Sequence, residues 1–151
     1  MTKVRRLLAV LFVLALGVGA SACGSDSDSG SGSGDTAAAS EIEGVTWELM
    51  NIAAQGAASG IPNTIDPPTL EFEDGRVNVF AGCNSGSGDA EITDSTIDFG
   101  PIALTKKACQ GVGGQVEDYV TRVLAGEVPY KMVQGNLNLE GKQFTLIYTK
   151  G

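Results

Sequence analysis

From residue 45 onward, apolar residues recur mostly at every second position, in short runs. Val45, Trp47 and Leu49 alternate with Thr46 and Glu48, the period of a strand with one face turned inward. Leu70 and Phe72 alternate with Thr69, Glu71 and Glu73. Asp74-Gly75 then supplies a favoured two-residue turn, and Arg76 to Phe80 returns as the partner strand. Ala90 and Ile92 lead through Asp94-Ser95 to Ile97 and Phe99. Tyr130 and Met132, Leu137 and Leu139, and Phe144, Leu146 and Tyr148 make three further runs, separated by Gln134-Gly135 and Glu140-Gly141. One stretch changes period. Val116, Tyr119, Val120, Val123 and Leu124 stand at i, i+3, i+4, i+7 and i+8, one face of a helix. Glu117 and Asp118 fall in its expected first turn, Asp118 can pair with Arg122, and Gly126 stops it.

The breakers complete the outline. Residues 53–68, with Gly60-Ile61-Pro62-Asn63 and Asp66-Pro67-Pro68, read as a loop. Gly82 to Gly88 reads as a tight turn or bulge, and Gly111-Val112-Gly113-Gly114 as a flexible connection. Short strands with a single helix predict an α+β, mainly β domain: a curled antiparallel sheet or small open barrel with one helix packed against it.

The start of the chain follows other rules. Lys3, Arg5 and Arg6 precede an apolar run, Leu7 to Leu16, and a small-residue exit, Gly17 to Ala22, the layout of a secretory signal. Ala20-Ser21-Ala22-Cys23 resembles a bacterial lipobox, whose cysteine is lipidated and becomes the mature N-terminus. An ordinary signal cut after Ala22 and an uncleaved anchor helix are the other readings, although the apolar run is short for a span. Residues 24–40 are Gly, Ser, Asp and Ala with one Thr and no large apolar side chain. Such a segment reads as a flexible tether. The expected organisation is a lipoprotein signal peptide at 1–22, lipidated Cys23 with its linker at 23–40, and one domain at 41–151.

Charge and composition narrow the chemistry. The whole chain carries a formal charge of −8; losing residues 1–22 removes three of ten basic side chains and no acidic one, leaving seven against eighteen, or −11. Phosphate backbones and anionic headgroups repel such a domain, so nucleic acid is not an expected partner and membrane attachment rests on the lipid at Cys23. There is no histidine, which removes the commonest general base and the commonest zinc ligand. The glycine-rich run after Cys83 has neither the lysine nor the helix pattern of a phosphate loop. No calcium loop, other metal site or cofactor motif is found. Glu71, Glu73, Asp74, Asp89, Glu91, Asp94 and Asp98 are acid-base candidates by type, but strand alternation turns most of them to solvent. No catalytic residue is assigned.

Cys83 and Cys109 have two readings. In an oxidising compartment they form a structural disulfide, which ties the end of the first hairpin to the segment before the helix and stabilises by about 3 to 4 kcal/mol in the chain-entropy model. A redox-active pair favours Cys-x-x-Cys spacing or a thiol at a helix N-terminus, and the expected helix begins about six residues beyond Cys109. The structural reading is preferred.

Gly44-Val45-Thr46-Trp47-Glu48-Leu49, Leu70-Glu71-Phe72, Gly82-Cys83-Asn84-Ser85-Gly86-Ser87-Gly88, Ile102-Ala103-Leu104-Thr105 with Ala108-Cys109, and Glu117-Asp118-Tyr119 with Val123-Leu124 stand in this order. Together they resemble the META domain family, the HslJ-like heat-shock and envelope proteins. The resemblance implies a small β-rich domain with one helix, often lipid-anchored in bacteria, associated with heat shock, motility and antibiotic tolerance and without established catalysis. The expectation is therefore a non-enzymatic protein, lipid-anchored on the extracytoplasmic face of the cell membrane. It would bind an envelope protein or small ligand, or serve envelope stress tolerance. The alternative is a carboxylate-based hydrolase acting on cell-wall sugars. No motif singles out a ligand-binding residue.

Feeding cells a fatty-acid analogue should label the wild-type chain and leave Cys23→Ala unlabelled; label persisting in the variant would refute lipidation at Cys23.

Overall fold

A computed structural model describes residues 37–151. Residues 1–22, Cys23 and linker residues 24–36 lie outside the described residues. The end of the expected linker, 37–40, instead belongs to a short helix, α1 (Ala37–Ile42), with Ala39 and Ile42 buried. Alanines lack the bulk that marks a folded segment in sequence. Ile42 nonetheless anchors the helix in the core, and the Trp47 indole Nε1–H donates to its carbonyl at 2.9 Å.

The strands are β1 (Thr46–Ala54), β2 (Ala57–Gly60), β3 (Thr69–Glu73), β4 (Arg76–Phe80), β5 (Ser85–Ile92), β6 (Thr96–Phe99), β7 (Ala103–Leu104), β8 (Gly126–Val133), β9 (Asn136–Glu140) and β10 (Thr145–Lys150). Helix α2 (Gly111–Val123) connects β7 to β8. Eight of the strands form an antiparallel ring in the order β1-β3-β4-β5-β6-β8-β9-β10, and β10 pairs back onto β1. The barrel is therefore closed, not open. Closure depends on β1, whose nine residues meet β3 and then β2 along one edge and β10 along the other, from Trp47↔Lys150 to Ala53↔Thr145. A register shift between Leu49 and Asn51 bends the strand midway.

Part of the expected loop 53–68 is strand. β1 runs to Ala54, Gln55-Gly56 turn with φ of 51° and 84°, and β2 returns. β2 is exposed along its whole length. It buries no side chain, so it has no hydrophobic alternation to be read, and only main-chain pairing defines it.

The alternating apolar residues fill the ring. Trp47, Leu70, Ile97, Leu137, Leu146 and Tyr148 are all at 0% exposure, and a ring of this strand number is just wide enough for side chains to pack across it. Each such burial stabilises by about 1.5 to 3 kcal/mol. The turns at 74–75, 93–95 and 134–135 share one end of the barrel with α1. The loops at 81–84 and 141–144 share the other end with α2. Val116, Val120, Val123 and Leu124 are buried from α2, and Tyr119 meets Phe144 edge-on at 4.7 Å. The expected Asp118–Arg122 pair forms at 2.8 Å.

Two glycine-rich stretches read as loops are regular structure. Gly111 to Gly114 form the first turn of α2, because a Cβ on Gly113 would stand 3.0 Å from the Gly82 carbonyl oxygen. The absent side chain lets helix and loop touch. Ser85 to Gly88 belong to β5. There the Ala103 carbonyl takes up the space that a Gly86 Cβ would need, and Pro101 O lies 2.9 Å from a Gly88 Cβ. β7 continues the pairing of β6 along β5 after a one-residue slip, from Ala90↔Phe99 to Ser87↔Ala103, and the two glycines let it lie this close.

Among the described residues the Tyr148 hydroxyl is buried without a hydrogen-bond partner, and burial holds its pKa far above the ordinary tyrosine value. Tyr130 is raised too, by burial first and then by the charges of Asp94 and Glu41. Above about pH 10 an unfolded chain releases phenolic protons that the folded one keeps, so stability falls as pH rises. Tyr148→Phe should weaken this alkaline loss. At neutral pH it should be stabilising by up to about 1 to 2 kcal/mol in urea unfolding, since the lost hydroxyl was desolvated and unpaired.

Candidate functional site

The barrel's α2 end concentrates the chemistry. Cys83 leaves β4 and Cys109 precedes α2; the two form the expected disulfide, with Cα atoms 6.1 Å apart. Beside it lies Asn84, 3% exposed and the one residue in the core region that is both buried and polar among those described. Its Oδ1 accepts from Thr105 Oγ1 at 2.7 Å and from Lys107 N–H at 2.8 Å. Its Nδ2 donates to Glu117 Oε1 at 3.0 Å and reaches Cys109 Sγ at 2.9 Å and the Lys107 carbonyl at 3.3 Å. The Asn84 backbone N–H donates to Glu117 Oε2 at 2.7 Å, and its carbonyl accepts from Ala81 N–H at 2.8 Å. One amide thus joins three segments: the β4–β5 loop, the strand leading to Cys109, and α2.

Glu117 is not a first-turn acid as the periodicity implied. α2 begins six residues earlier, at Gly111, and carries no acid in its first turn. From the second turn, Glu117 points back to Asn84, where two N–H donors hold its carboxylate in charge-assisted hydrogen bonds. Cys83, Cys109 and Glu117 present ligand-type atoms within 4.8 Å of one another. With the sulfurs bonded to each other, the carboxylate is the only free ligand of that set.

At the C-terminal end of α2 is an apolar pocket of about 410 Å³, lined by Phe99, Ile102, Leu104, Leu124 and Ala125, with Thr121 as its one polar side chain.

The acids considered for catalysis, Glu71, Glu73, Asp74, Asp89, Glu91, Asp94 and Asp98, are all exposed. Asp89 pairs with Arg76 at 2.8 Å. Lys106 and Lys107 are exposed, although the Lys107 backbone serves Asn84. Sequence reasoning brought Cys83 and Cys109 together and missed Thr105, Glu117 and the pocket. Asn84 was visible only as a neighbour of Cys83.

Asn84→Ala should cost about 3 kcal/mol in urea unfolding with the disulfide intact, because it leaves the Lys107 N–H without its acceptor and Glu117 Oε1 without its donor. Ser87→Ala, on the outer face of β5, should change stability by less than about 0.5 kcal/mol. Equal costs for the two would show that Asn84 is not a hub.

The family model described as META domain matches residues 40–150. No curated protein is significantly similar in sequence. Two proteins solved by NMR share the fold. One, from Burkholderia xenovorans, is 24% identical with a TM-score of 0.62 over 76% of this chain and 87% of that one. The second is 16% identical with a TM-score of 0.58 over 73% of this chain and 92% of that one. A crystal structure of a lipocalin-like protein from Bacteroides uniformis aligns with a TM-score of 0.46 and 16% identity over 74% of this chain and 99% of that one.

Proposed function

The chain belongs to the META domain family, and from that premise we propose that it is a binding domain, not an enzyme. A lipid on Cys23 holds it on the extracytoplasmic face of the cell membrane, and it takes up a small, uncharged, largely apolar ligand. The observation that carries the reading is the pocket of about 410 Å³ beside the C-terminal half of α2. Its volume falls in the ordinary range for small-ligand sites. No charged side chain lines it, and its one hydroxyl, Thr121 Oγ1, already donates to the Glu117 carbonyl at 2.8 Å. An ionic ligand would lose its hydration there without compensation, whereas an apolar one gains by leaving water.

Two further observations support binding at this end. The ring interior is occupied by its own side chains, so ligand space is better sought at the helix than along the barrel axis. A carboxylate hydrolase needs two acids converging on a cleft, and the candidates face solvent on the outer surface. Nothing here favours that alternative.

Titration of residues 37–151 with the neutral dye N-phenyl-1-naphthylamine should give saturable fluorescence enhancement at one site. Ala125→Trp, an exposed position on the pocket rim, should weaken binding about tenfold or more with the circular dichroism unchanged. Unsaturable binding, or equal affinity in the variant, would count against the pocket as the site.

A further inference from the structure

The disulfide and the carboxylate beside it carry chemistry that an apolar pocket does not use. Cys109 is half-buried and lines an open groove of about 670 Å³ together with Lys107, Gln115 and Glu117. Cys83 is not among the groove's lining residues; its Cβ lies 3.9 Å from where a Gly113 Cβ would be, under the first turn of α2. A thiol entering the groove meets Cys109 first.

Glu117 Oε2 is 3.7 Å from Cys109 Sγ, and the two sulfurs and a Glu117 oxygen lie within 4.8 Å of one another. An oxidised sulfur has no proton to give. A carboxylate aimed at it has a proton to move only when a thiol arrives or departs. Asn84 fixes this aim, since its backbone N–H and Nδ2 hold the two Glu117 oxygens while Nδ2 also reaches Cys109 Sγ.

We propose that Cys83–Cys109 is an exchange-active disulfide, attacked at Cys109 Sγ by a low-molecular-weight thiol with Glu117 carrying the proton. The incoming thiol gives its proton to Glu117 Oε2, and its sulfur forms a new bond to Cys109 Sγ. The Cys109–Cys83 bond breaks with its electron pair on Cys83 Sγ, which takes the proton back from Glu117. One thiol and one disulfide become a mixed disulfide on Cys109 and a thiol at Cys83, with no net change in charge. A second external thiol then attacks the mixed disulfide and leaves as the oxidised external disulfide. The protein pair has by then gained two electrons and two protons. Opening the bond removes the covalent tie between the β4–β5 loop and the segment before α2, the helix that also walls the apolar pocket, and leaves the Asn84 hydrogen bonds to hold them together.

The test reacts the full-length chain in detergent with 2-mercaptoethanol, from about pH 6 to about pH 9, and locates the adduct by mass after acid quench and alkylation. The adduct should form on the Cys109 peptide. Glu117→Gln should slow its formation about tenfold or more near neutrality, as loss of an acid-base group does. Asp118→Asn, which removes a neighbouring carboxylate of the same groove, should leave the rate unchanged. Misfolding would expose the disulfide and speed its reaction, so a slower rate cannot arise from damage to the fold. The proposal is overturned if the adduct forms equally on Cys83, if Glu117→Gln reacts at the wild-type rate or faster, or if the native disulfide resists the thiol until denaturant is added.

Discussion

Everything in this domain hangs on the pairing of its first ring strand with its last. β1 and β10 run antiparallel from Trp47↔Lys150 to Ala53↔Thr145, and without that ladder the meander would be a curled sheet with two open edges. Long-range pairing of this kind is entropically costly to form, and two features favour it. The inward face of β10 carries Leu146 and Tyr148, fully buried, opposite Ile52 and Leu49 on β1. The last residue continues the ladder, with Gly151 N–H donating to the Thr46 carbonyl at 2.9 Å. Hydrophobic burial selects the register, and the backbone hydrogen bonds hold it.

A closed ring of this width is filled by its own side chains, so its individuality lies at its ends. At the α2 end a buried amide performs the role that apolar packing performs elsewhere. Asn84 satisfies groups from three segments that are distant in sequence, and the disulfide ties two of the same segments covalently. Buried polar groups cost free energy unless every donor and acceptor is met. Here they are met, so the cluster fixes α2 at one angle across the barrel mouth. The pocket at the helix's C-terminal end is walled in part by Thr121, so its shape depends on where α2 lies.

Much of the barrel was legible because its strands are half-buried. Leu70/Phe72, Ile97/Phe99 and Leu137/Leu139 alternate with exposed neighbours, and their periodicity is the burial pattern itself. The turns at Asp74-Gly75 and Gln134-Gly135 were equally plain, with φ of 50° and 72° and of 53° and 82°. What failed to show has a common cause: it depends on contacts far apart in the chain or on main chain alone. β2 buries nothing. Gly113, Gly86 and Gly88 look like flexible residues until one sees what they touch. The Asn84–Glu117 contacts span 33 positions, beyond any local pattern, and α1 is made largely of alanine and carries no amphipathic signal strong enough to separate it from the linker. The disulfide was predicted because chemistry, not spacing, limits the partners a cysteine can take.

β1 leaves from α1 at one barrel end, and the chain finishes beside it, at Gly151 against Thr46. α1 and the final residue therefore share the side of the tight hairpins, opposite α2. The barrel has a polarity: the start of α1 and the final residue lie at one end, and the clasped helix with its groove and pocket lies at the other. A solute approaching the α2 end meets the groove and the pocket without passing over the exposed carboxylates on the outer face of the ring.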